Sequence, residues 1–316
     1  MNNILITGGM GFIGSSLVQE MSIKNYNITI LDIVDNNKGN KFYKNDVNIN
    51  FIEGDINNQE LLTTIINDNC FDGILHFAGV SRVDIAEQEP DNCLKTNVDG
   101  TKSLLDVLKS STNKNKPWFI FASSREVYGE PNSLPVNEEF DKKHLNIYGK
   151  SKIDGEKLVT TFSQENENKC LILRFANVYG NEFDIFDRVI PKFLKAIHTN
   201  KGLVIDGGKQ VLDFAYIDDT VKSIMKAINY IEHMNKMLDD FNISTGIGYT
   251  LIQVIETIES ILQKKALVTI NEKRTYDVEQ YIGDPTKSKR VLKLEKFLSL
   301  EEGLKLAIPR YLKAMK

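Results

Sequence analysis

A tyrosine and a lysine stand four residues apart in YGKSK, at Tyr148 and Lys152. On a helix that spacing puts both side chains on one face, one turn apart. A phenol with its ordinary pKa of roughly 10 is a poor base at neutral pH. A neighbouring ammonium stabilises the phenolate and lowers that value. Such a pair can take a proton from a substrate hydroxyl and return it, the acid–base half of a hydride transfer. Ser124 ends the apolar run WFIFASS and offers a hydroxyl to the same substrate oxygen.

A second group of residues lies at the start of the chain. TGGMGFIG runs from Thr7 to Gly14, with Gly8, Gly11 and Gly14 in GxxGxxG spacing. Glycine permits a tight turn and close backbone approach. The N-terminus of a following helix presents unpaired N–H groups and a positive dipole end to a pyrophosphate. The loop stands between the strand-like NILIT and a helical pattern, which is the context a dinucleotide site needs. Asp32 closes the second strand pattern, ITILD. It can bind both ribose hydroxyls and repel a 2′-phosphate. No arginine follows at once in IVDNN, so NAD is expected rather than NADP. Asp55 and Ile56, in EGDI, follow the third strand pattern, where an adenine would lie.

These residues need elements to hold them. Apolar runs at 3–7, 28–31, 49–52, 73–77, 118–122 and 171–175 read as strands. Amphipathic stretches at 13–22, 59–69 and 92–110 read as helices between them. Strands separated by helices imply right-handed crossovers and a parallel sheet, buried on both faces. After residue 177 the segments shorten: helices near 189–198, 218–231, 251–262 and 300–313, a turn at 206–208 and a strand at 213–217. The fold class expected is α/β, a Rossmann-type doubly wound parallel sheet with a smaller mixed α/β C-terminal lobe. The division is 1–177 for the NAD-binding domain and 178–316 for the substrate lobe, with return of 211–240 to the first domain. Asn-rich stretches at 35–50 and 164–168 read as solvated loops.

Composition excludes several classes. The chain has 316 residues, 41% hydrophobic and 26% charged, with 39 basic against 43 acidic side chains and a net charge of −4. Coating a nucleic-acid backbone needs clustered positive charge, so no nucleic-acid partner is expected. Three cysteines (Cys70, Cys93, Cys170) without CxxC spacing support neither a disulfide framework nor a zinc site, and no metal is expected. No apolar run approaches the ~20 residues that span a bilayer. No basic-then-apolar signal layout opens the chain. A cytoplasmic protein with no membrane partner is expected.

The ordered set of motifs resembles the extended short-chain dehydrogenase/reductases, in their nucleotide-sugar epimerase/dehydratase branch. TGGMGFIG, GDI at 54–56, HFAG at 76–79, NVDGT at 97–101, SSREVYG at 123–129, YGKSK at 148–152, RFANVYG at 174–180 and DFAYIDD at 213–219 carry the resemblance, over nearly the whole chain. It implies NAD as cofactor and a nucleotide-diphosphate sugar as substrate. Gly8, Gly11, Phe12, Ile13 and Gly14 would line the pyrophosphate. Asp32 would hold the adenosine ribose, and Asp55 and Ile56 the adenine. Phe77, Ala78 and Gly79 would flank the cofactor, and Asn97 would support the fourth strand and its helix. Tyr148 would be the acid/base, Lys152 the ribose clamp, and Ser124 the second hydroxyl partner. Ser81, Asn177, Val189 and Arg274 match substrate-binding positions. The branch also implies a homodimer through the helices at 92–110 and 148–164, with Leu104, Leu105, Leu108, Leu158 and Phe162 available to core or interface.

The two residues after Ser124 bear on the choice of reaction. A 4-epimerase oxidises the sugar C4 hydroxyl and returns the hydride to the other face, which asks only for Ser124, Tyr148, Lys152 and NAD. Dehydratases of this branch add an Asp–Glu pair after the catalytic hydroxyl residue; here those positions are Arg125 and Glu126. Glu126 is the candidate base for a 4,6-dehydratase or a decarboxylase. A guanidinium does not give up its proton in a protein, so Arg125 cannot serve as the acid. Epimerisation is the expected reaction; a lyase using Glu126 and a non-catalytic NAD-binding protein are the alternatives. One departure stands at the nucleotide end. Relatives in this branch carry an arginine immediately before the aspartate of the DFAYIDD-type segment, and this chain has Leu212. Arg274 matches a second arginine position, and Lys209 or Arg188 is a candidate replacement.

Overall fold

A computed structural model describes residues 2–33, 46–113 and 116–316. Most of the Asn-rich stretch at 35–50 lies outside those residues. The strands are β1 Asn3–Thr7, β2 Asn27–Asp32, β3 Ile49–Glu53, β4 Gly73–His76, β5 Trp118–Ser124, β6 Cys170–Phe175, β7 Asn177–Tyr179, β8 Gly202–Asp206, β9 Val211–Tyr216, β10 Leu238–Ile243, β11 Gly248–Thr250, β12 Leu267–Asn271 and β13 Gln280–Tyr281. The helices are α1 Phe12–Ile23, α2 Gln59–Asp68, α3 Val83–Gln88, α4 Pro90–Leu94, α5 Gly100–Ser110, α6 Ile147–Asn166, α7 Val189–His198, α8 Ile217–His233, α9 Leu251–Leu262, α10 Thr286–Leu292 and α11 Leu300–Ala314.

Seven strands form one parallel sheet in the order β10-β6-β5-β4-β1-β2-β3. Successive side chains of a strand point to opposite faces. Ile4 and Ile6 of β1 accordingly enter the core shared with α1 and α8, while Leu5 enters the core shared with α2, α5 and α6. All three are 0% exposed, which explains why the strands read as unbroken apolar runs. The strand order reverses between β1 and β4. A ligand crevice is expected where it does, and the glycine loop and Phe77–Gly79 lie there.

A smaller four-stranded sheet, β11-β9-β13 with β7 on β9, and a parallel pair, β8 with β12, make up the rest. The stretch 211–240 divides between the sheets. Within it α8 packs against α1, and β10, which begins at Leu238, pairs with β6. The strand at 211–216 belongs to the small sheet instead, because β7 follows β6 after one residue and captures β9 there.

The single helix expected over 92–110 is broken. It runs from Pro90 as α4, loosens into a π turn at Lys95–Asp99 and resumes as α5. π turns of this kind tend to mark functional positions. Here the turn carries Asn97. Its side-chain oxygen accepts from Val80 N (2.7 Å), and its amide donates to Val80 O (3.0 Å) and Ser151 Oγ (2.9 Å). Among the described residues no helix is long and apolar enough to cross a membrane, and no cluster of three or more His, Cys, Asp or Glu is placed to hold a metal.

Candidate active site

One cleft of about 970 Å³ runs from the glycine loop, past the carboxyl ends of β4 and β5, to β8 and the loop before β13. The residues expected to bind the cofactor, to bind the substrate or to act in catalysis line it except Asn97, which braces its wall from behind.

At one end Gly8 adopts φ +72°, and a Cβ on it would stand 2.4 Å from Ala78 N. A Cβ on Gly14 would stand 2.3 Å from Gly8 O. The glycines thus bring β1, α1 and the β4 loop closer than any side chain allows, leaving a groove at the N-terminus of α1. Gly11 is the N-cap there and offers no side-chain cap, so the first-turn N–H groups stay available to an anion. Asp32 stands at the end of β2, its carboxylate accepting from Met10 N at 2.9 Å. Asp55 and Ile56 line the same groove, and Phe77 packs 6.2 Å from Phe175, ring centre to ring centre. The groove fits a dinucleotide along its length.

At the centre, Ser124, Tyr148 and Lys152 come together, each no more than 9% exposed. Asn146 starts α6 by accepting from Gly149 N at 2.7 Å, which aims Tyr148 into the cleft. Ser124 Oγ accepts from Glu126 N at 3.3 Å, and its hydroxyl lies close enough to Tyr148 to draw that phenol's proton affinity down. Lys152 donates to Ala122 O at 2.9 Å, and its ammonium lies 5.8 Å from the centre of the Tyr148 ring. The expectation that Lys152 lowers the Tyr148 pKa is not met in this arrangement. Burial dominates and pushes Tyr148 up to about 12, against the hydroxyl of Ser124 and the charge of Arg188, which pull it down. Burial also pushes Lys152 down to about 8.

Beside them Glu126 is almost wholly buried and bound at both oxygens. Arg125 Nη2 stands 2.7 Å from one, and Asn146 Nδ2 donates to the other at 2.9 Å. The Arg125 guanidinium lies 5.7 Å from the centre of the Tyr281 ring, and its Nη1 is buried with no hydrogen-bond partner among the described residues.

At the far end Asn177 donates to Asp213 O at 3.0 Å, and Val189 starts α7 along the wall. Arg274 pairs with Asp277 at 2.8 Å. Ser81 accepts from Arg188. Leu212 faces the cleft, and Lys209 is not among its lining residues. Sequence reasoning missed Arg82 and Asn146. For Asn146 there was a signal: an asparagine directly before a helical pattern is a preferred N-cap. Arg82 had none, being one arginine in a loop.

The family model described as GDP-mannose 4,6 dehydratase matches residues 5–307. A UDP-glucose 4-epimerase of Lactobacillus helveticus is 28% identical over 305 residues, covering 92% of this chain and 90% of that one. The crystal structure of a UDP-glucose 4-epimerase from Thermotoga maritima with UDP-glucose superposes at TM-score 0.90, with 31% identity, over 99% of this chain and 100% of that one. A UDP-glucuronic acid 4-epimerase from Bacillus cereus, in complex with UDP-glucuronic acid and NAD, superposes at TM-score 0.88, with 26% identity, over 98% and 99% of the two chains.

Proposed function

This chain belongs to the GDP-mannose 4,6-dehydratase family of nucleotide-sugar enzymes, and we propose that it is an NAD-dependent nucleotide-sugar 4-epimerase. One observation carries the choice of reaction. Ser124, Tyr148 and Lys152 converge in the cleft, whereas Glu126 has both oxygens engaged by Arg125 and Asn146. A carboxylate so held is a poor candidate for the extra base that dehydration requires. Its neighbour is an arginine, which cannot act as the acid.

The groove at α1 is assigned to NAD, with Gly8, Gly11, Phe12, Ile13 and Gly14 at the pyrophosphate. Asp32 takes the adenosine ribose, and Asp55 and Ile56 the adenine. Phe77, Ala78 and Gly79 flank the cofactor, with Asn97 bracing them. Bound NAD would accept and return the hydride, and its oxidised ring would add positive charge beside Tyr148. Ser124 Oγ binds the sugar C4 oxygen and orients it. The Tyr148 oxygen takes the C4 hydroxyl proton, which calls for more positive charge than the protein alone gives, since burial holds Tyr148 up near 12. Lys152 would clamp a ribose of the bound cofactor. The 4-keto sugar then turns, so that the hydride would return to the opposite face of C4, and Tyr148 gives the proton back to the C4 oxygen. Ser81, Asn177, Val189 and Arg274 hold the sugar nucleotide. A cytoplasmic location and a homodimer through α5 and α6 complete the proposal. Those two helices lie side by side, with a groove between them lined by Leu105, Leu158 and Phe162.

The test is a panel of UDP-, GDP-, CDP- and dTDP-sugars, with products identified by mass and NMR. Inversion at C4 with unchanged mass is expected; loss of water or of carbon dioxide would replace this reading with a lyase. Tyr148→Phe should cut turnover by at least ~10²-fold while NAD still binds. Glu126→Gln should keep turnover within about tenfold, and its complete loss in a folded variant would restore Glu126 to a catalytic role.

A further inference from the structure

A sugar linked to a nucleoside diphosphate brings two negative charges into a cleft that lacks an arginine at position 212. Leu212 is 8% exposed and faces that cleft. The positive charge has to come from elsewhere on the wall. Four arginines line it: Arg82, Arg125, Arg188 and Arg274. Three are closely neutralised. Arg82 Nε donates to Asp84 at 3.0 Å, with Asp187 also within ion-pair reach. Arg125 is 2.7 Å from Glu126, and Arg274 is 2.8 Å from Asp277.

Arg188 differs. Its carboxylate neighbour, Asp184, stands 4.0 Å away, at the limit of ion pairing. Its guanidinium donates instead to a neutral group, Ser81 Oγ at 3.3 Å, and lies 5.8 Å from the centre of the Phe12 ring. Phe12 opens α1, so Arg188 closes over the cleft from the opposite wall. It is also near enough to the reacting end for its charge to pull down the proton affinity of Tyr148. In a pyranose ring C4 and the anomeric oxygen lie on opposite sides. A phosphate on that oxygen therefore stands one ring away from the Tyr148 hydroxyl, and Arg188 lines the same cleft. Arg188 is also the N-cap of α7, whose first turn has no side-chain cap and no acidic residue, so the helix dipole adds to the same field.

We propose that Arg188 grips the diphosphate of the substrate, taking from the α7 side the task that Leu212 cannot perform on β9. This rests on the reading of the substrate as a nucleoside-diphosphate sugar. A guanidinium fork matches phosphate oxygens in pairs, which an ammonium does not. The role is therefore one of affinity and specificity, which binding without turnover reads apart from the charge that Arg188 exerts on Tyr148.

The experiment measures binding of UDP, alone and without turnover, to the NAD-loaded enzyme by calorimetry. Arg188→Gln should weaken UDP binding at least about tenfold while NAD content and melting temperature stay as in the wild type. Leu212→Arg added to Arg188→Gln should recover part of that loss, since it restores a guanidinium on the facing wall. Wild-type affinity in Arg188→Gln would overturn the inference and leave the epimerase reading standing. Should Arg188→Gln fail to fold, Arg188→Lys decides: several-fold weaker UDP binding supports the fork, and unchanged binding overturns it. A wild-type enzyme that binds none of UDP, GDP, CDP or dTDP would overturn both this inference and the nucleotide-sugar reading.

Discussion

Burial sets the chemistry of Tyr148 and Lys152 before any ligand is considered. Each is taken out of water, and each is pushed toward its neutral form, the phenol upward and the ammonium downward. For Lys152 the consequence is measurable. Its value of about 8 lies below the ordinary 10.5. Between those values the unfolded chain binds more protons than the folded one, so stability from this group grows as pH rises through the window. Cofactor-free wild-type protein should therefore gain melting temperature relative to Lys152→Met between pH 8 and about 10.5, read by differential scanning calorimetry. Parallel curves for the two proteins would mean that the lysine is as well solvated folded as unfolded. The same residues show the reach of sequence reasoning. Their one-turn spacing was legible. The net direction of their proton affinities was not, because desolvation depends on what the rest of the chain packs over them.

Elements place these side chains through their ends. Ser124 closes β5, Tyr148 sits in the first turn of α6, and the glycine loop joins β1 to α1. The end of β5 is fixed by a buried ionic network. Arg174 on β6, 0% exposed, binds Glu156 of α6 at 2.8 Å, Asp240 of β10 at 2.8 Å and the Tyr128 hydroxyl at 2.9 Å, while Ser123 donates to Glu156 at 2.6 Å. Four elements, β5, β6, β10 and α6, are thereby locked one residue from Ser124. The glycine loop is as exacting. With 2.3 Å between Gly8 O and a Cβ at position 14, Gly14→Ala has to move backbone and not merely a side-chain tip. NAD affinity should fall at least about tenfold, measured by fluorescence titration of the folded variant. Unchanged affinity would show that the loop has slack that the contact distances deny.

At the scale of the whole molecule, residues of the seven-stranded sheet and of the small sheet line one shared cleft. The residues that reach it from the two sides are far apart in sequence, as with Arg188 and Ser81, 107 residues from each other. The outer face of α5 and α6 presents a different surface. Leu104, Leu105 and Phe162 are core residues, at most 5% exposed. Leu108 and Leu158 are half-buried, and Leu158 lines the groove together with Lys102, Asp106 and Lys109. Such mixed chemistry suits a symmetric pairing of this face with itself. Leu158→Glu should convert a dimer to a monomer in sedimentation velocity without a large fall in melting temperature. A wild-type protein that sediments as a monomer would refute the dimer outright.

The sequence by itself determined the parallel sheet, the glycine loop after β1, Asp32 at the end of β2 and the shared face of Tyr148 and Lys152. Each follows from hydrophobic period or from spacing inside one element, and such spacing is fixed by backbone geometry alone. Tertiary structure decided the rest. It closed both oxygens of Glu126 with Arg125 and with Asn146, 20 residues away. It turned Leu212 into the cleft without a cation, left Lys209 outside its lining, and brought Arg188 over Phe12. These outcomes depend on which surfaces meet when helices pack on sheets, and no local spacing encodes that meeting.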